Sequence, residues 1–225
     1  MGVFLYYLLV FFGIFSFSFV FWRKLREDYT PDQIFSATLL FLVGGFLGTV
    51  IFNKWLPQFS FWGFIVGTFL FGFYSLKKFG MKFFEALDGI TVGLSWFSIF
   101  ALGAIVIRDS WGDRFVNLIG VLPGVVTLLV YTFFLKKYRR FSWYPSGKIG
   151  FVGMSTVVVY FTLRALVATY QFWVLSSPGH LVDGLIALLV SLFFVGFIYF
   201  RSGRIGFTGL VGVFARLKRA RRKNL

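Results

Sequence analysis

The stretch SFWGFIVGTFLFGFYSLKKFGMKFFEALDGITVGLSWFSIFALGAIVIRDSWGD, residues 60–113, sets the fold class. An apolar span from Phe59 to Ser75 is followed by a basic turn with Lys77, Lys78 and Lys82. A second apolar span runs from Gly89 to Ile107, and the polar knot Arg108-Asp109-Ser110-Trp111-Gly112-Asp113 ends it. A helix rising about 1.5 Å per residue needs roughly 20 apolar residues to cross about 30 Å of hydrocarbon. Two spans of that kind joined by a short charged turn predict a transmembrane hairpin.

Outward from the hairpin the pattern repeats. Apolar spans run from Val3 to Trp22, Ile34 to Phe52, Val116 to Leu135, Ile149 to Val174, and from Ser177 to Phe200. They are continuously apolar, without the alternation of a barrel strand, so helices are the expected spanning form. Of the 225 residues, 58% are hydrophobic and 14% charged. Soluble domains carry about 25% charge, which excludes that class. The expected fold is an all-α integral membrane protein with seven transmembrane helices in residues 1–200 and a basic tail in 201–225.

Charge placement orients the helices. One set of loops holds Arg23, Lys24, Arg26, Lys77, Lys78, Lys82, Lys136, Lys137, Arg139, Arg140 and Lys148, and the tail lies on the same side. The opposite loops hold Lys54, Arg108 and Arg114. The positive-inside rule then predicts an outside N-terminus and a cytoplasmic tail in the plasma membrane. The net charge of +15 suits topology and acidic headgroups, and nucleic acid is not an expected partner. The first span, uncharged and with no small-residue cleavage site after it, reads as a retained helix rather than a signal peptide.

Local signals fill in the helix ends. Thr30 is an N-cap candidate with Pro31 at the first helical position, and Ser177-Pro178-Gly179 reads as a cap and first turn. Gly44, Gly45 and Gly48 in the second span, and Gly63, Gly67 and Gly72 in the third, predict close backbone packing. Pro123-Gly124 predicts a kink in the fifth.

Candidate chemistry gathers on the predicted outer face. The chain has no cysteine and one histidine, which leaves no thiolate chemistry and no metal cluster, and no cofactor is expected. Arg164 lies well inside the sixth span, where an arginine costs roughly 2.5–3.5 kcal/mol even on the lenient insertion scale. Either it receives a lipid phosphate, or an internal ion pair with Asp183 or Asp109 neutralises it. Arg108, Asp109, Asp113 and Arg114 form a polar site or a solvated loop anchored by Trp111. His180 and Asp183, three apart on one helical face, form a candidate general base. Asp183 also complements a helix N-terminus.

The hairpin resembles the prolipoprotein diacylglyceryl transferases. Ser60-Phe61-Trp62-Gly63-Phe64 is similar to that family's Ser-Phe-His-Gly-Gly element, and Phe83-Phe84-Glu85-Ala86-Leu87-Asp88 to its Phe-x-Glu-x-x-Asp segment. Asp109-Ser110-Trp111-Gly112 resembles the end of its Gly-Arg-x-Gly-Asn signature. Gly44-Gly45-Phe46-Leu47-Gly48 falls where the family has a glycine run. Pro145-Ser146-Gly147 with Arg164-Ala165-Leu166-Val167 is similar to its Pro-Pro-Gly helix and Arg-Phe-Leu-Val segment. Trp62 stands at the family's histidine position, and the signature arginine and both asparagines are absent from Ala101 to Ile107. The resemblance implies transfer of a diacylglyceryl group from phosphatidylglycerol, or recognition of another anionic lipid, with a prolipoprotein signal peptide as the second partner. No family motif assigns the roles of the missing residues; in their place Arg164, with Arg108 or Arg114, is the expected phosphate clamp, and His180 and Asp109 are the catalytic candidates. A lipid- or partner-binding scaffold without turnover, and a small transporter or channel subunit, are the alternative classes.

Overall fold

The computed structural model describes residues 2–108, 116–137 and 150–202, all helices and short connections. The helices are α1 (Gly2–Leu25), α2 (Pro31–Trp55), α3 (Ser60–Lys78), α4 (Phe83–Arg108), α5 (Leu122–Lys137), α6 (Phe151–Leu175) and α7 (Pro178–Arg201). A single 3₁₀ turn, Pro57–Phe59, joins α2 to α3. Six of the helical segments are long and apolar enough to cross a membrane, with residues 116–137 as the fifth-helix segment; α3, with 19 residues, is the remaining one. Asp109, Trp111, Gly112, Asp113 and Arg114, Pro145-Ser146-Gly147 and the tail from 203 onward lie outside the described residues.

Local rules explain the helix ends. Thr30 and Gln33 form a reciprocal capping box on α2, with Pro31 at its first position. Pro178 opens α7 as expected, but the Ser177 side chain makes no capping bond. The kink expected at Pro123-Gly124 falls earlier, at Gly120-Val121, where Gly120 N–H donates to Asn117 O at 3.0 Å and Val121 N–H to Leu118 O at 3.0 Å. Pro123 has no N–H to continue the ladder, so the helix restarts just before it. Helix α4 begins at Phe83, ahead of the expected Gly89, and takes Glu85 and Asp88 into its first two turns.

Those two acids are structural anchors. Tyr29 Oη donates to Glu85 Oε2 at 2.6 Å, and Lys82 Nζ pairs with Glu85 Oε1 at 3.0 Å, pinning the α1–α2 connection to the start of α4. Burial, together with its hydrogen bond to Glu85, raises the Tyr29 phenol above its ordinary range. Asp88 acts across helices. The residue preceding α6 is Gly150 (φ 93°), which has no side chain to cap with. Asp88 Oδ1 accepts the Gly153 N–H at 2.6 Å in its place.

The hairpin expected from residues 60–113 is splayed. α3 packs along α2, α4 along α1, and α6 along α7, while α3 and α4 scarcely meet despite their short connection. Glycine explains the first pairing. A Cβ on Gly48 would collide with the Gly63 carbonyl, and one on Gly67 with the Gly44 carbonyl, so α2 and α3 touch backbone to backbone. No such small-residue seam joins α3 to α4. Buried Phe17, Phe21 and Phe41 fill the space between α1 and α2, and Trp62, Phe161, Ala165 and Ala187 join α3 to α6 and α7. Apolar side chains such as Phe4, Phe69, Leu129 and Phe193 point outward and are more than half exposed, as lipid-facing residues are.

Two outcomes test these packing claims by thermal unfolding in detergent. Gly48→Leu loses roughly 1–3 kcal/mol or more through overpacking, whereas Gly103→Ala, whose Cβ meets nothing within 4 Å, is neutral; equal melting of the two removes the α2–α3 seam. Asp88→Ala costs about 0.5–2 kcal/mol, the range for a lost cap, and an unchanged midpoint removes its capping role.

Candidate functional site

Helix α6 carries Arg164 in its middle, α7 carries Asp183 in its second turn, and α3 carries Phe61 and Trp62 in its first turn. These four side chains meet. Arg164 Nη2 lies 3.0 Å from Asp183 Oδ2 and 3.2 Å from Oδ1, while Nε donates to Oδ1 at 3.3 Å. The Trp62 indole N–H donates to the same Oδ1 at 2.6 Å. The guanidinium lies over the Phe61 ring, 3.5 Å from its centroid, an arrangement in which a cation is attracted to the ring face. Trp62 is held flat against Phe161 at 5.6 Å.

The burial of this group matters. The Arg164 and Asp183 side chains retain 17% and 13% of their exposure, so each charge depends mainly on the other for compensation. Of the two readings of Arg164, the ion pair with Asp183 is formed. Among the described residues Asp183 bonds Arg164 and Trp62, and His180 is not among its partners. The imidazole–carboxylate dyad suggested by the three-residue spacing is therefore not made, because α6 and α3 reach the carboxylate first.

Two cavities flank the pair. The more polar of them, of about 260 Å³, is lined by Arg164, Asp183, His180, Gln171, Asn117 and Ser177, together with apolar side chains such as Val167. An apolar one of about 320 Å³ fills the gap between α3, α4 and α6, with Phe61, Phe64, Phe97, Tyr160 and Phe161 in its walls. Its serine and threonine hydroxyls are occupied locally: Ser95 donates to Thr91 O, Ser98 to Ser95 O, and Thr156 to Gly153 O. Such internal bonding leaves the chamber hydrophobic in character. Leu102, Ile105 and Arg164 line both cavities.

The sequence-derived candidates separate accordingly. Arg164 and His180 share the polar cavity. Ser60 lines the apolar chamber, with its hydroxyl donating to Pro57 O at 2.6 Å. Trp62 belongs to the ion-pair cluster, and Gly63 serves the α2–α3 seam. Arg108 closes α4, and Asp109, Trp111, Gly112 and Arg114 lie outside the described residues. What sequence reasoning missed is Trp62 as a donor to Asp183; its one signal was an indole at the position where the resembled family has an imidazole.

No family model, no curated protein and no solved structure matches this chain.

The pair is tested by a mutant cycle. Asp183→Ala strands a guanidinium and costs roughly 3–5 kcal/mol, whereas Arg164→Met with Asp183→Leu comes close to native stability. Equilibrium unfolding in detergent measures both; a single variant no worse than the double one refutes the coupling.

Proposed function

We propose that this chain is a divergent diacylglyceryl-transferase-like protein of the plasma membrane that binds an acidic phospholipid, phosphatidylglycerol in the first instance, at Arg164. The observation that carries the reading is that Arg164 borders both a polar cavity and an apolar chamber. An amphiphile needs that juxtaposition: a cation for the phosphate and a dry space for an acyl chain. On this reading all seven helices span, the N-terminus is outside and the tail is cytoplasmic, so Arg164 and His180 face the outer leaflet.

The proposed reaction joins a prolipoprotein cysteine to the lipid. The thiol loses its proton to His180, its sulfur attacks the glyceryl carbon bearing the phosphate, and that carbon–oxygen bond breaks. Glycerol phosphate leaves with the bonding pair, and Arg164 stabilises the departing charge. His180 supports this role by lining the same cavity as Arg164.

A second reading, lipid binding without turnover, is favoured by a different observation. Asp183 already neutralises Arg164, and Trp62, which cannot take a proton, fills the position of the family histidine. Membranes containing the protein, labelled phosphatidylglycerol and a lipobox peptide separate the two. Transfer of label to the peptide, lost by at least about tenfold on His180→Ala, supports the transferase. Binding without transfer supports the scaffold. Lipid binding undiminished in Arg164→Ala would falsify the headgroup site in either form.

A further inference from the structure

The two cavities abut at Leu102, Ile105 and Arg164, which line both. Leu102 and Ile105 are held by packing alone, with Ile105 40% exposed. Arg164 is the member fixed by directed bonds, and all of those go to Asp183. Asp183 in turn is held by the Trp62 N–H, the shortest bond of the cluster at 2.6 Å. Trp62 is 7% exposed and stacked on Phe161, so this donor has little freedom to turn away.

We propose that the Trp62–Asp183–Arg164 chain is a latch that keeps the polar cavity and the apolar chamber apart, with Trp62 and Asp183 as its positioning residues. While the guanidinium is folded onto Asp183 over the Phe61 ring, it stands in the partition. An anion entering the polar cavity competes with Asp183 for Nη2 and Nε. Once the guanidinium swings to that anion, the partition loses its one anchored member and the chambers become continuous. A ligand with an acidic head and an apolar tail thereby admits its own tail, whereas an uncharged amphiphile leaves the latch shut. The latch thus selects by charge at a site whose resting net charge is zero. The latch rests on the shared lining residues and on the Trp62–Asp183–Arg164 bonds; the identity of the anion rests on the lipid reading above.

The absence of cysteine from the chain gives a clean test. Ser98→Cys places a thiol in the apolar chamber and Ser177→Cys places one in the polar cavity. Each is reacted in intact membranes with a positively charged, membrane-impermeant methanethiosulfonate, which cannot enter through lipid and does not compete with Asp183 for Arg164. In the native background Cys at 177 reacts readily and Cys at 98 slowly. Asp183→Asn, which removes the carboxylate charge, raises the rate at 98 relative to that at 177 by at least about tenfold. Trp62→Phe keeps an aromatic ring beside Phe161, strands no charge and gives a smaller rise, so the test survives if Asp183→Asn misfolds.

An unchanged rate at position 98 in both variants overturns the latch. So does equal reactivity of the two positions in the native background. Glycerol phosphate added to the native-background Ser98→Cys protein raises its rate if a headgroup opens the latch. If the variants respond and glycerol phosphate does not, the partition stands and the phospholipid reading falls.

Discussion

A guanidinium that leaves water must be compensated where it comes to rest, and the central part of this structure follows from how that is done. Arg164 has a carboxylate on one side and an aromatic face on another, and these come from α7 and α3, two helices remote in sequence. The Coulombic attraction of such a pair grows as the surroundings become less polar, but so does the desolvation penalty of each ion. Net stabilisation therefore depends on further bonds to the carboxylate. The Trp62 N–H supplies one at 2.6 Å. The cluster binds α3 to the α6–α7 pair at a place where these helices otherwise share few contacts.

The same constraint shapes the hollow beside it. Gly44, Gly48, Gly63 and Gly67 draw α3 tightly against α2, and α4 is committed to α1. Consecutive helices α3 and α4 are thereby pulled to different partners, and the space between them becomes the apolar chamber. Closing that gap would require breaking either the glycine seam or the α1–α4 packing. Asp88 ties α4 to α6 at the far end, and the Trp62–Asp183–Arg164 cluster ties α3 to α6 and α7 at the near one.

Much of this was legible in the sequence. Long apolar runs gave the helices because an unpaired backbone is intolerable in hydrocarbon, and Thr30, Gln33 and Pro31 gave the start of α2 because capping is local chemistry. The glycine spacing foretold close packing, although not which helix would be the partner. Arg164 was conspicuous because its burial is costly wherever the chain folds, and Asp183 was one of two carboxylates able to meet it. The hairpin was misread in its packing, since a short connection limits distance at one end and says nothing of the other. The Pro123 kink shifted by a turn, as the missing N–H acts on the residues before it.

The sequence by itself determined the class of the molecule, its helices, and the need for a counter-charge near Arg164. These follow from hydropathy, backbone hydrogen bonding and the cost of burying a cation, all of which act along or at a single segment. Only the tertiary structure decided that the counter-charge is Asp183, that Trp62 rather than His180 steadies it, and that two cavities meet at the guanidinium. Those outcomes depend on which helix faces touch and how far apart they stand. Such distances are set by side-chain interlocking between segments far apart in the chain, and no spacing within one segment encodes them.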